Sequence, residues 1–318
     1  MDQIIKLINE RTNFVLVGHT SPDGDTIGSC FAIAFALELL GKNVSVVLES
    51  YPKKYNIIPG CKFLHTGDLT AVDVLIALDC ADIERLGSSQ ALFKRANVTV
   101  CIDHHKTNLG FAQLNYIEPD AASTCEMVFK LIEKLTPISL EIAIALYTGM
   151  ICDTGGFKYN ATNSSTMGIA AKLMATGIPF TEIYNEIMHK HTFAAAKAKG
   201  IVLQNCKNIC KGRIVYSYIT YEMLTSVSAK LADLDGIVEY LINTDNALMA
   251  VLVYEKSTTD VKVSFRSNGP DVSAVAIKCG GGGHTLAAGA TTEWDIKTTL
   301  EKTLHFMEEE LANYDRRT

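Results

Sequence analysis

The sequence predicts an α/β protein: a doubly wound, mainly parallel sheet followed by a smaller C-terminal α/β domain, with an active-site cleft expected between them. Two observations predict it. Four short, almost continuously apolar runs at 14–18, 44–48, 72–78 and 98–102 alternate with helix-length segments, the pattern of strands covered on both faces. Beyond residue 210 the rhythm changes, with strands expected at 214–219, 247–254 and 261–265 among shorter helices. The 318 residues suffice for two such cores without disulfide staples.

Taken in order, 1–12 reads as a short amphipathic helix with Ile4, Ile5, Leu7 and Ile8 on its apolar side. The strand at 14–18 feeds a polar loop and then a helix over 26–40, where Ile27, Phe31, Ala34, Phe35 and Leu37 keep a helical period and Gly41 closes it. Pro52 and Pro59 make 53–63 a loop with a short strand. The strand at 72–78 runs directly into Asp79, and the one at 98–102 into Asp103-His104-His105. Between these two, 82–95 reads as helix. Helices follow at 124–135 and 140–150, the second leading to Asp153, then at 166–175 and 181–190. The spacing divides the chain into a metal-binding catalytic domain over 1–190, a connector over 191–208 and a substrate-binding domain over 209–318. The last carries helices at 222–232, 237–241, 272–277 and 296–314.

Composition narrows the class. Hydrophobic residues make up 48% and charged residues 20%, an ordinary soluble balance. Charges in MDQIIKLINERTN interrupt any signal-peptide core, and the longest apolar run, 31–37, is too short to span a bilayer. Nine scattered cysteines without C-x-x-C spacing read as thiols of a reducing compartment. A cytoplasmic protein with no membrane partner is expected. The net charge of −6 disfavours a protein that coats duplex or other long nucleic acid. Bound divalent cations would offset much of it, so a small anionic substrate stays open.

The chemistry gathers in four places: His19, Asp23 and Asp25 within seven residues, Asp79, Asp103-His104-His105, and Asp153. An isolated strand-end aspartate is usually a helix cap, and a lone histidine usually a satisfied core residue. Four clusters, three of them following buried strands, reverse those odds, because open α/β sheets bind ligands beyond the carboxyl ends of their strands. Carboxylate and imidazole donors suit manganese, magnesium, iron or cobalt better than structural zinc. A pair of such ions clamps a phosphoryl group for attack by water.

The stretches HTSPDGDTIGS, ALDCAD, IDHHKTN and GMICDTGGF resemble the four motifs of the DHH phosphoesterase superfamily, and SFRSN with GGGGHTLAAGA resembles its DHH-associated domain. The likeness is greatest to the stand-alone subgroup acting on nano-RNA and on 3'-phosphoadenosine 5'-phosphate (pAp). It implies one metal on His19, Asp23 and Asp79, and a second on Asp25, Asp79, His104 and Asp153, both most in keeping with Mn2+. His105 is left as hydrogen-bond donor or general acid, with Asp103 orienting one histidine. Gly24 and Gly28 would let backbone approach the metals.

In the C-terminal part, Gly281, Gly282 and Gly283 ahead of His284 read as a backbone cradle for phosphate oxygens, against the plain alternative of a flexible turn. Arg266 is the candidate phosphate clamp, assisted by Ser264 and Asn268; its plain alternative is a surface ion pair. Ser123 and Thr124 read as a helix N-cap that the resemblance places near the active site. Cys152, Cys206 and Cys210 read as packing residues, and His189 and His191 as hinge or surface.

The expected activity is hydrolysis of very short oligonucleotides and pAp. Linear pApA or cyclic di-AMP is the nearest alternative substrate, an inorganic pyrophosphatase or exopolyphosphatase a more distant reading, and a non-enzymatic nucleotide-binding regulator the furthest. The resemblance leaves room for a homodimer.

Overall fold

The computed structural model describes residues 1–257 and 260–317, which divide into two compact units, Met1–Lys190 and His191–Thr318. In the first, α1 (Asp2–Glu10) leads to β1 (Asn13–Val17), α2 (Gly24–Leu39), β2 (Asn43–Val47), β3 (Val74–Leu78), α3 (Gln90–Arg95), β4 (Val98–Asp103) and β5 (Leu114–Ile117). Four helices complete it: α4 (Thr124–Ile132), α5 (Leu140–Asp153), α6 (Ser164–Ala175) and α7 (Phe180–Tyr184). The five strands form a wholly parallel sheet in the order β2-β1-β3-β4-β5. After β2 the chain crosses to the other side of β1, so the winding reverses between β1 and β3, the crevice where such sheets take ligands.

Every residue of β3 is buried, which explains its unbroken apolar sequence. One face of the sheet is covered by α2, α4 and α5, whose apolar residues form the main core with Leu16, Ile76 and Ile102. Two glycines let these helices touch. A Cβ on Gly28 would lie 2.5 Å from the Ala145 carbonyl, and one on Gly149 would lie 2.3 Å from the Cys125 sulfur. Such overlap costs about 1–3 kcal/mol or more. Gly28 therefore serves the helix contact, in place of the metal approach expected of it, and a Cβ on Gly24 would collide with the Cys152 sulfur at 2.1 Å.

Several boundaries differ from expectation. The stretch 53–63 holds two 3-10 turns, Lys53–Ile57 and Cys61–Phe63, and no strand among the described residues; just beyond it Leu64 forms a bridge with Val46. The helix expected over 82–95 is 3-10 over Glu84–Ser89 and α-helical only over Gln90–Arg95, because Gly87 takes a positive φ of 52°. The segment read as a helix over 181–190 is the short α7 followed by a π-turn over Asn185–His189. The edge strand β5 was not anticipated: LNYI is too short and mixed to announce itself.

The second unit contains α8 (Phe193–Gln204), β6 (Lys207–Ile209), β7 (Ile214–Ile219), α9 (Tyr221–Ser226), α10 (Ile237–Ile242), β8 (Met249–Glu255), β9 (Val261–Ser267), α11 (Val272–Lys278), β10 (Gly282–His284), β11 (Ala287–Thr292) and α12 (Ile296–Asp315). Its sheet runs β10-β11-β9-β8-β7-β6 and is antiparallel except for β7 with β8. The proposed connector is corrected here. Residues 193–204 are the helix α8, whose Ala198 and Val202 are fully buried in one core with Val215 and Ile219, so this stretch is integral to the second unit. Helices α8, α9 and α10 supply that core, while α11 and α12 cover the opposite face over Val251, Val263 and Phe265. The hairpin β10–β11 was also missed, since glycine and alanine carry little strand propensity. Among the described residues no helix is long and apolar enough to cross a membrane.

Candidate metal centre

Three strand ends of the first unit deliver the polar side chains. His19 follows β1 by two residues, Asp79 follows β3 directly, and Asp103-His104-His105 closes β4. Asp23 caps the start of α2, its Oδ1 accepting from the Asp25 and Thr26 amides at 3.0 and 3.1 Å. Asp25 lies in the first turn of that helix, fully buried, and Asp153 is the last residue of α5.

These residues converge. Ligand atoms of His19, Asp23 and Asp79 lie within 4.8 Å of one another, as do those of Asp25, His104 and Asp153, and those of Asp79, His104 and His105. Asp79 is common to two of the three groups. Its Oδ2 lies 3.7 Å from His19 Nε2 and its Oδ1 3.7 Å from His104 Nε2, so the two oxygens face two different histidines. His104 Nε2 also meets Asp153 Oδ2 at 3.1 Å.

The imidazoles are pre-set. His19 Nδ1 meets the Thr20 carbonyl at 2.7 Å and His104 Nδ1 the Ala121 carbonyl at 3.2 Å. A carbonyl oxygen only accepts, so in each ring Nδ1 carries a proton and Nε2 is the nitrogen turned to the centre. His105 is held differently: its Nδ1 donates to Asp103 Oδ1 at 2.7 Å, and Asn108 donates to Asp103 Oδ2 at 2.7 Å. The histidine that Asp103 touches is therefore His105, whose ring is 41% exposed.

The carboxylates are equally constrained. Asp25 accepts from the Thr124 and Cys125 amides at 2.6 and 2.9 Å, so the N-terminus of α4 faces it. Thr26 and Thr124 hydroxyls donate to the two oxygens of Asp79 at 2.7 and 3.0 Å. Asp79 itself takes a backbone φ of +58°, a region few non-glycine residues adopt. Sequence reasoning missed Thr26 and Asn108. The only signals were a hydroxyl one residue after Asp25 and an amide three residues after His105, both common in loops.

Electrostatics ask for cations. Burial, then the charge of Asp79 and of Asp153, pushes the Asp25 carboxyl well above the usual range; burial, then Asp23 and Asp153, raises Asp79. Burial alone would pull His104 down, yet its hydrogen bond to Asp153 and the charges of Asp25, Asp153 and Asp79 carry it up to about 10. Crowded carboxylates that raise one another and hold a proton on a histidine form a set that divalent cations would relieve. Thiols are poor competitors. Burial, then Asp25, pushes the Cys125 thiol far up, and burial, then Asp79, does the same to Cys30, leaving oxygen and nitrogen as the donors. The residues present therefore fit hard or borderline divalent metals.

The expected substrate residues of the second unit fare unevenly. Arg266 forms an ion pair with Glu239, Nη2 to Oε1 at 2.5 Å, and its Nη1 donates to the Phe265 carbonyl at 2.8 Å. Asn268 donates to the Ile242 and Ala247 carbonyls at 3.3 and 3.1 Å, pinning a turn. The Gly281 amide bonds the Ala276 carbonyl and Gly280 the Ile277 carbonyl, closing α11, so neither amide is free for a cradle. Gly282, Gly283 and His284 form the exposed edge strand β10. Ser264 lies on β9 opposite Gly289.

Comparison with known proteins agrees with this layout. Residues 13–150 match the DHH family, N-terminal domain, and residues 211–313 match the DHHA1 domain. The bifunctional oligoribonuclease and PAP phosphatase NrnA of Thermus thermophilus is 31% identical over 304 residues, covering 92% of this chain and 89% of that protein. The protein of the same name from Bacillus subtilis is 25% identical over 311 residues, covering 92% of this chain and 94% of that protein. Among solved structures, an exopolyphosphatase-related protein from Bacteroides fragilis matches with a TM-score of 0.85 at 26% identity, covering 97% of this chain and 95% of that one. Both domains occur in family order and a relative above 30% identity spans nearly the whole chain: it belongs to the DHH phosphoesterase family, in the form that carries a DHHA1 domain behind the DHH domain.

Proposed function

We propose that this chain is a two-metal phosphoesterase that hydrolyses very short oligonucleotides and pAp, with manganese as its working ion. The observation that carries the reading is the pair of donor groups meeting at Asp79, whose two oxygens face His19 and His104. His19, Asp23 and Asp79 would hold one cation; Asp25, His104 and Asp153, with Asp79 shared, would hold the other. Such a pair supplies Lewis-acid activation of water and of the phosphoryl oxygens.

The chain's own groups do the rest. Thr26 and Thr124 fix the Asp79 carboxylate, each charge-assisted bond contributing about 1.5–3 kcal/mol. The start of α4 holds Asp25. His105 keeps its Nδ1 proton against Asp103, which steadies the ring and supports positive charge on it. Its Nε2 is then the atom to donate to a phosphate oxygen or to protonate the departing alkoxide. Burial favours a neutral Asp103, but hydrogen bonds from His105 and Asn108 outweigh it and hold the carboxyl below its usual value, so it stays an acceptor.

The relatives named for oligoribonuclease and PAP phosphatase activity support the substrate class. The test is turnover by the purified chain with manganese, magnesium or cobalt, following phosphate or nucleotide release from pAp, a 5'-phosphorylated dinucleotide, pApA, cyclic di-AMP and pyrophosphate. Fastest release from pAp and the dinucleotide with manganese is expected. Preference for cyclic di-AMP or pApA would move the substrate assignment, and hydrolysis of pyrophosphate alone would overturn it.

A further inference from the structure

Strand register in the second unit lines up one face of the sheet. On β9, Val261, Val263 and Phe265 turn into the core beneath α11 and α12, whereas Lys262, Ser264 and Arg266 turn to the other side. Cross-strand pairing sets Tyr254, Lys262 and Thr291 in one row and Leu252, Ser264 and Gly289 in the next. Arg266 shares the third row with Ala250 and Ala287 and is engaged by Glu239 of α10.

Around the first two rows lies a cavity of about 390 Å³ lined by Tyr254, Lys262, Ser264, Gly281, Gly289 and Thr291, among others. Its chemistry is one-sided. Lys262 is the one charged residue in the lining, and it forms no ion pair among the described residues. Ser264, Thr291 and Tyr254 bring hydroxyls to the same lining, and Gly281 packs directly on β11, where a Cβ would lie 2.1 Å from the Gly289 carbonyl. Arg266, by contrast, already has a carboxylate in its fork. With no carboxylate in the lining to compete for it, the Lys262 ammonium and the neighbouring hydroxyls match the chemistry of an oxyanion.

We propose that Lys262, with Ser264 and Thr291, forms a phosphate subsite on this sheet, separate from Arg266, that holds a phosphate group of the nucleotide substrate. Four residues of extended strand separate Lys262 from Arg266, about 13 Å, so the two cations address different groups of a ligand. The proposal rests on the reading of the chain as a nucleotide phosphoesterase.

The test uses the full chain stripped of metal by a chelator, which removes turnover and leaves binding, with pAp as the probe in a calorimetric titration. Lys262→Gln is expected to weaken binding about tenfold, Ser264→Ala and Thr291→Val less, and Lys262→Arg to recover most of the loss. With metal restored, Lys262→Gln should raise KM by a similar factor at nearly unchanged kcat. Equal binding by wild type and Lys262→Gln overturns the subsite, as does failure of the wild type to bind pAp below millimolar concentration. Whether the loaded wild type cleaves phosphoesters is read separately, so failure of the functional reading is told apart from failure of the subsite.

Discussion

The two units solve anion chemistry in opposite ways. The first concentrates negative charge: Asp25 and Asp79 are buried, and nearly every polar atom of theirs is fixed by an amide or hydroxyl of the surrounding helices. The second carries half-exposed cations, Lys262 and Arg266, on one face of the interior strand β9. A carboxylate cluster tolerates no looseness, since each misplaced charge costs its neighbours, whereas the cations of the second unit differ in restraint: Arg266 is held by Glu239 and Lys262 has no ion pair among the described residues.

The contrast can be broken hardest at Asp79. Asp79→Ala removes a donor common to two groups and is expected to reduce hydrolysis on the order of 1,000-fold, with loss of bound metal measured by elemental analysis. Normal turnover in that variant would end the shared-carboxylate reading. A smaller effect is expected in the second unit. Arg266→Ala should raise KM about tenfold while metal content stays at the wild-type level; a drop in metal would mean that the labour is not divided as described.

The mildest test is thermal. A carboxyl whose folded pKa is raised stabilises the fold below its ordinary value, and that contribution is lost as pH rises through the raised one. Asp25 and Asp79 are of this kind, and His104, raised to about 10, loses its contribution over the same direction of pH. Metal-free protein should therefore lose stability as pH rises from about 6.5 towards about 10, and manganese should raise Tm more towards the upper end. Scanning calorimetry with and without the ion reads this directly, and a larger shift at acid pH would contradict it.

Much of this was legible beforehand. His19, Asp79 and His104 announce themselves because buried parallel strands are unbroken apolar runs and any polar residue at their ends stands out. Long-range partners were not legible. Nothing local to Thr26 says that its hydroxyl reaches Asp79, 53 residues away, and the amides of Thr124 and Cys125 find Asp25 across about 100 positions. In the second unit the glycine run was ambiguous, because the residue type that allows a phosphate cradle also closes a helix at Gly280 and Gly281 and builds the edge strand β10. The ion pair of Arg266 was open as an alternative and could be decided only once α10 was placed beside β9.

The left-handed turn of backbone at Asp79 limits what can ever replace it. Asparagine shares aspartate's tolerance of that conformation, and glycine adopts it freely, but glutamate would add both a methylene and torsional penalty. The position thus couples a geometric filter to a chemical one: of the residues that fit the bend comfortably, aspartate alone brings a negative charge.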